Sequence, residues 1–485
     1  MKSFKEKTER IPPGVKSSVV YTLATLFTRG LAIVTVPVFT RIMTTEEIGL
    51  VNLYNSWYAM ISVVATLSLT SGGFQVMMKE YPDRRRQYLS SVTTLTSVMA
   101  LLLAVVYAFA PSFWNEITGL PTELMLLMLA GFLTAPARDF WLAQQRYEYR
   151  YKLAGILSFG QAIVATALSV LIVLHLRGTG YAAEGRLFAN YAVLYGVAFA
   201  IWIVLLVRGK TFFDREFWGK SLRLSLPLIG YSIAAQVLSV SDRTMIGSMV
   251  GNDAVGIYGT LYSVGTICTL FWSALNASFL PYLFENIGKE ENKIKRISSL
   301  MLAVYAVIAV LITYLAPEIV RILATEEYYE GIYIMPPIAA GVFLMAVTNM
   351  YSNIAVYYKK TVLVMIPAVI AAVSNVVLNY IFIPRYGYMA AAYTTLVAYV
   401  LLAALQALFA LIVQRRKGEK IYGNWSILLL SVVTVGLDLA GLVLYRNSVA
   451  RYCAVAAGIA AAALLCWLYV KKRRQHRVRD PREPQ

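Results

Sequence analysis

Charge is scarce in this sequence. Asp, Glu, Lys and Arg make up 14% of its 485 residues, where a soluble globular chain carries about 25%. Paired cysteines are missing too: Cys268, Cys453 and Cys466 are odd in number and lack metal-type spacing, which excludes a disulfide framework and a zinc site. Two histidines, His175 and His476, leave no imidazole-based chemistry to build on. Segments of about ten alternating residues, the mark of a transmembrane β-barrel, do not occur. The basic N-terminus is followed by an apolar run too long for a signal-peptide core and without a small-residue cleavage site, so that run is read as a first membrane helix.

What is present is hydrocarbon, at 59% hydrophobic residues and a mean hydropathy of +0.62. Apolar runs of 18 or more residues are long enough to cross a bilayer core of roughly 30 Å, and they recur at 16–40, 50–76, 88–110, 122–143, 152–176, 186–207, 224–249, 254–282, 298–316, 332–357, 361–383, 388–412, 425–444 and 450–470. The expected class is an all-α polytopic membrane protein of about fourteen spans. Its net charge of +18 sits in short segments on one side, such as "KEYPDRRR", "RGKTFFDREFWGK", "KEENKIKR", "QRRKGEK" and the tail "KKRRQHRVR". That asymmetry is the positive-inside rule. It places both termini in the cytoplasm and argues against nucleic acid as a partner.

The chain repeats itself. Aligning Gly49 of "TTEEIGLVNLY" with Gly256 of "GNDAVGIYGTLY" gives an offset of 207, and the same offset lays "GYAAEG" (180–185) on "GYMAAA" (387–392). Each copy holds six spans, an even number, so the copies enter the membrane in the same sense, as parallel repeats do. The organisation expected is a cytoplasmic segment 1–15, a first six-helix bundle 16–207, a linker 208–223, a second bundle 224–412, a loop 413–424, two additional helices 425–470 and a basic tail 471–485.

Polar side chains fall in stripes that obey the repeat. Ser18, Thr22, Thr25 and Arg29 share one face of the first span; Ser225, Ser232, Gln236, Ser239 and Arg243 share one face of the seventh. Tyr262, Thr266, Thr269, Ser273 and Asn276 repeat the pattern on the eighth, with Asn55, Ser62 and Thr66 on its partner. Interhelical hydrogen bonding alone accounts for single residues of this kind; four matching stripes point to a hydrated cleft. An arginine inside a span costs about 2.5–3.5 kcal/mol on insertion scales and usually faces a cavity, which makes Arg29, Arg138 and Arg243 candidates for binding an anion. Asp242 and Arg243, adjacent in sequence, project about 100° apart. Gln236, Asn276, Asn349 and Asn353 supply amides, and Thr25 and Ser232 hydroxyls. The set suits an anionic, hydroxyl-rich ligand in which phosphate is joined to sugar. Tyrosine, at 33 residues, fits interfacial belts.

Pro227, the pair Asp242–Arg243 and "AVGIY" (254–258), with "TRIMTTEEIGLVNLY" in the first half, resemble the Wzx-type oligosaccharide flippases of the MATE-like multidrug, oligosaccharidyl-lipid and polysaccharide exporter superfamily. The resemblance implies two six-helix bundles working by alternating access, in the cytoplasmic membrane of a bacterium. The implied substrate is an undecaprenyl-diphosphate-linked oligosaccharide for surface polysaccharide, with membrane lipid, glycosyltransferases and a polymerase as partners. No catalysis and no cofactor are implied. Coupling to a proton or sodium gradient would fall to Asp242 or Asp139. The related flippases of the peptidoglycan precursor carry an Arg-Asp pair midway along the first helix, where Thr35 and Val36 stand here. Arg29 in "FTRG" and Arg41 resemble other positions of that branch, which stays an alternative. A drug or cation antiporter is another, though it would want acidic residues in the cleft. An oligosaccharide polymerase or ligase would need a larger outer domain than the short segment 317–331.

Overall fold

A computed structural model describes residues 13–71 and 73–460. The segment 1–15, the last span and the tail therefore lie wholly or partly outside the described residues. Among those described there is helix and no strand. In chain order the helices are α1 (Pro13–Ile42), α2 (Thr45–Ala65), α3 (Gly73–Glu80), α4 (Arg85–Phe109), α5 (Pro111–Thr118), α6 (Thr122–Tyr147), α7 (Tyr151–His175), α8 (Ala182–Gly209), α9 (Arg215–Met249), α10 (Asn252–Gly265), α11 (Cys268–Asn286), α12 (Glu291–Tyr314), α13 (Ala316–Leu323), α14 (Met335–Tyr357), α15 (Val362–Tyr386), α16 (Tyr388–Lys417), α17 (Asn424–Leu444) and α18 (Ser448–Ala460). Twelve segments are long and apolar enough to cross a membrane, or thirteen with the bent α9, which turns by 48° between Arg215–Leu226 and Leu228–Met249. Fourteen spans is thus an approximate count, the last being described only as the short α18.

The repeat is visible element by element. The short α5 and α13 each begin at an Ala-Pro junction between long helices, and α8 and α16 start just after Gly180 (φ +82) and Gly387 (φ +67). Both glycines occupy the left-handed region that a side chain disfavours, and they are equivalent under the 207 offset. The second span of each copy, expected as one helix, is broken. α2 stops at Ala65 and the chain passes through Leu67 (φ +52) and Ser68 (φ +48) before α3, while α10 gives way to α11 after Gly265. The two breaks do not coincide under the offset: the one after Ala65 corresponds to a position inside α11, and Asn252–Asn286 is still counted as one span.

By their contacts the described residues form two compact units. Unit 1 takes in the chain to Thr260 with Leu323–Glu327 and Ala372–Ala391; unit 2 takes in Leu261–Ile322, Tyr328–Ala371 and Ala392 onward. The division therefore comes at Thr260, past the linker 208–223, and places α9 with the first copy.

Within unit 1, α2 is opened by a capping box: the Thr44 hydroxyl accepts from Glu47 N, and the Glu47 carboxylate accepts from Thr44 N. Its first turns cross those of α10 through repeat-related glycines. A Cβ on Gly49 would lie 1.8 Å from the carbonyl oxygen of Asn252, and one on Gly256 would lie 2.0 Å from that of Thr45. Thr45 and Asn252 are themselves equivalent under the offset, so the crossing is a local two-fold contact. Small residues at such crossings let backbones approach where lipid offers no hydrophobic drive. At the other end of the unit, Phe74, Met77, Met78, Tyr88, Phe140 and Phe217 form a buried cluster that locks α3, α4, α6 and the start of α9 together.

Candidate functional site

Unit 1 contains a narrow furrow of about 510 Å³, walled by α1, α2, α6, α7 and α8. Three arginines line it and no Asp or Glu does: Arg138 from the middle of α6, Arg146 from its last turn, and Arg186 from the second turn of α8. They are spread along the furrow. Arg138 and Arg146 are two helical turns apart, about 12 Å. The walls at Tyr21 and Phe39, both on α1, are separated by eighteen residues, about 27 Å of helix, nearly a bilayer core.

Each guanidinium is held by a neighbour that costs it little freedom. Arg146 lies 5.0 Å from the centre of the Tyr21 ring, and Arg186 lies 3.6 Å from that of Phe39, both cation–π contacts that replace lost hydration. Arg138 is 3.4 Å from Asp139 Oδ1. Thr25, Thr28, Asn55, Gln161 and Asn190 add polar atoms to the walls. Gln161 is 8% exposed. Its Nε2, Arg138 Nε and the Tyr21 hydroxyl are buried donors without a partner among the described residues. Donors left unsatisfied in a native interior call for an explanation. An acidic ligand in the furrow supplies one.

The residues expected from sequence scatter over several places. Thr25 and Arg138 line the furrow together. Arg29 is exposed on α1 and outside it. Ser232 and Gln236 are half-buried on α9, away from the furrow's wall. Asp139 lines a second opening beside it. In unit 2, Asn276 joins Asn349 and Asn353: its Nδ2 donates to Asn349 Oδ1 at 3.3 Å, and Asn353 Nδ2 donates to its Oδ1 at 3.1 Å. Amides expected on separate helices thus form one cluster.

Asp242 and Arg243 part company, as adjacent helical residues must. Asp242 is buried at 1% exposure, and its carboxylate accepts from the Tyr258 hydroxyl of α10 and from Arg243 N. Arg243 is half-buried and turns back along α9, its Nη1 3.4 Å from Ser239 O. Neither lines the furrow.

Sequence reasoning missed Arg146, Arg186 and Gln161. Arg146 reads as part of a basic loop and Arg186 as a span end, positions where arginine usually only anchors. One signal was available: under the offset that aligns "GYAAEG" with "GYMAAA", Arg186 falls on Tyr393, so the charge belongs to one copy only.

Unit 2 has a larger cavity of about 1030 Å³ with mostly apolar walls from α14, α16 and α17, and Lys295, Arg415, Glu419 and Lys420 among its lining residues. Its walls suit hydrocarbon.

Comparison with known proteins identifies the family and the fold. Residues 15–287, more than half of the chain, match the model of a family described as polysaccharide biosynthesis proteins, and residues 227–381 match the MatE family model. The chain is 22% identical over 409 residues to the probable low-salt glycan biosynthesis flippase Agl15 of Haloferax volcanii, covering 81% of this chain and 82% of that one. Among solved structures it is similar to the inward-facing conformation of a multidrug resistance MATE family transporter of the MOP superfamily. The TM-score is 0.58 at 13% identity, over 83% of this chain and 99% of the other. It is also similar to the MATE multidrug transporter DinF-BH, with TM-score 0.57 and 15% identity over 84% of this chain and 96% of the other. At these identities the structures establish the fold.

Proposed function

Because the chain belongs to the polysaccharide biosynthesis protein family and folds as a multi-pass membrane transporter, we propose that it is a flippase for polyprenyl-diphosphate-linked oligosaccharide. The observation that carries this reading is the furrow lined by Arg138, Arg146 and Arg186 without an acidic residue. The barrier to flipping is the transfer of a charged, hydrated headgroup through hydrocarbon, where an unpaired charge costs many kcal/mol. Guanidinium groups spaced along the depth of unit 1 replace the lost solvation in steps. Their forked donors match phosphate oxygens better than an ammonium would. Amides and hydroxyls on the same walls add hydrogen-bonding partners for the headgroup. No bond is made or broken, so the furrow needs no nucleophile or metal.

On this reading the protein sits in the cytoplasmic membrane of a bacterium with both termini inside. It receives its substrate from glycosyltransferases and delivers it to a polymerase. A proton or sodium gradient drives it, and Asp139 is better placed to sense that gradient than Asp242, which is already enclosed by Tyr258. A cation antiporter of the same fold would need acidic walls, and the furrow has none. The peptidoglycan-precursor alternative keeps the prenyl diphosphate and differs in what the diphosphate carries.

The test is a vesicle assay with the full chain. A fluorescent prenyl-diphosphate-linked sugar should become accessible to a membrane-impermeant quencher in the presence of the protein, and a cationic dye should not be taken up. Dye uptake driven by an ion gradient, without lipid flipping, would reverse the assignment.

A further inference from the structure

Beside the furrow, unit 1 has a second opening of about 750 Å³ that shares Leu142 and Arg146 with it. The walls differ in kind. Apart from the shared arginine they carry Asp139, Gln75, Thr70, Phe74, Tyr147 and Tyr149. A carboxylate repels phosphate, but it accepts from two hydroxyls at once, and an amide and a hydroxyl both donate and accept. Aromatic rings cover the C–H faces of a sugar ring. Gln75, Thr70, Asp139 and Tyr149 are all exposed at this opening. Phe74, buried and stacked on Phe140 at 5.9 Å between centres, only backs the opening, so the rings available to a sugar are Tyr147 and Tyr149. Arg85 covers the Tyr147 ring at 5.0 Å, which orients it.

We propose that this opening is the sugar subsite of the transporter. It takes the first sugar of the prenyl-diphosphate-linked glycan while the diphosphate engages Arg146 and Arg138. The proposal rests on the flippase reading. Arg146 is the hinge of the argument because it borders both spaces, and in a sugar diphosphate the ring is bonded directly to the phosphate. Asp139, ion-paired with Arg138, marks the boundary. Anion lies on the arginine side and neutral hydroxyls on the other.

The rival account makes Tyr147 and Tyr149 interfacial anchors and Asp139 a mere counter-charge. Tyr149 separates the two. It sits at φ +55 just past the end of α6, where Arg150 N donates to Gln145 O and Tyr149 N to Arg146 O. This is a helix stop that normally uses glycine. Tyr149→Gly therefore removes the ring without straining the turn, and the variant should unfold at no lower temperature than the parent.

Binding of two probes to the full chain in lipid nanodiscs decides the matter: farnesyl diphosphate, and the same diphosphate bearing glucose or N-acetylglucosamine. The parent should bind one of the sugar-bearing probes about tenfold more tightly than the bare diphosphate, a gain that one or two hydrogen bonds and a stacked ring supply. Tyr149→Gly and Gln75→Ala should each cut that gain to about threefold or less and leave bare diphosphate binding unchanged. Arg146→Ala should weaken both probes. If the parent binds the diphosphate but gains nothing from either sugar, or the variants weaken both probes alike, the subsite is refuted and the flippase reading stands. If the parent binds neither probe, the flippase reading falls and takes the subsite with it.

Discussion

Replacing Gly256 by alanine tests the two-fold crossing of α2 and α10. The added Cβ would meet Thr45 O at 2.0 Å and Gly49 N at 3.1 Å, and carbon rarely approaches a carbonyl oxygen closer than about 3.3 Å. The obstacle is backbone on both counts, so the helices must part by about 1.3 Å. That separation stretches the hydrogen bond from Thr45 Oγ1 to Asp253 Oδ1, now 2.6 Å, beyond useful length. Overpacking of this sort costs about 1–3 kcal/mol, and the exposed hydrogen bond adds about 0.5–1 kcal/mol. Alanine's better helix propensity returns up to about 1 kcal/mol. The net expectation is a loss of about 1–3 kcal/mol, and the same for Gly49→Ala, whose Cβ meets Asn252 O. Both act on one crossing, so the double variant should cost clearly less than the sum. Gly196, in α8 with nothing near its missing Cβ, is the control: alanine there should be neutral or stabilising. Unfolding by denaturing detergent, followed by tryptophan fluorescence, gives the four free energies. Singles within about 0.5 kcal/mol of the parent, or strict additivity, would refute the close crossing.

Three further outcomes are expected. Arg186→Ala should slow lipid flipping about 10- to 100-fold, the equivalent of one charge-assisted hydrogen-bonded contact, and Arg186→Lys should recover part of it; equal loss of thermal stability would mean that the Phe39 contact is only structural. Tyr258→Phe should destabilise the fold by about 1.5–3 kcal/mol because it strips the buried Asp242 carboxylate of a donor. Asp242→Asn should restore stability in that background, and failure to do so, measured by the same detergent titration, would show that the pair is not the cause. On the basic-loop side, the Tyr81 hydroxyl and Lys220 hold the Glu216 carboxyl below the usual carboxylate range, while Glu80, Tyr81 and Glu216 push the Lys220 amine above its ordinary value. Glu216 therefore contributes fully at neutral pH and is lost as pH falls through its lowered folded value, whereas the Lys220 contribution fades only in strong alkali. Protection of the amides over 80–86 and 214–220, each exchange rate divided by the intrinsic rate at that pH, should hold from about pH 7 to about pH 4.5 and fall below it, and should fall in high salt, with Glu216→Gln showing no such acid step.

The membrane class, the helical content and the repeat could be read directly because they rest on composition and spacing. The apolar runs fixed where helices could lie, and the 207 offset identified Gly49 with Gly256, a pairing that the structure turns into a physical contact. The interruption after Ala65 could not be read, since Thr66, Leu67 and Ser68 look like ordinary span residues. Only the backbone shows two of them at positive φ. The site was read in part. Arg138 and Thr25, expected because charge and hydroxyls within spans are costly, both line the furrow. Arg29 and Arg243 satisfied the same rule without entering the furrow, because periodicity says which residues share a face and not what that face meets. Arg146 and Arg186 failed the rule for the opposite reason: near span ends a guanidinium is cheap, so its presence carries little information until a cavity is seen beside it.

The duplicated chain separates what the fold requires from what the task requires. Gly180 and Gly387 both hold left-handed turns ahead of a long helix, and Gly49 and Gly256 both stand at the crossing; geometry leaves neither copy a choice. Six residues beyond Gly180 the copies carry Arg186 in one and Tyr393 in the other, although both glycines lead into a long helix. A scaffold position kept in both copies needs no ligand to explain it. A charge present in one copy only is not a requirement of the scaffold, and a role beyond the scaffold is to be sought there. The same reasoning sets the amides of unit 2, where Asn276, Asn349 and Asn353 satisfy one another, apart from Gln161 of unit 1, whose Nε2 has no partner among the described residues. Polar groups that close on themselves hold helices together. Those left open beside the three arginines of the furrow are the ones the proposed headgroup would engage.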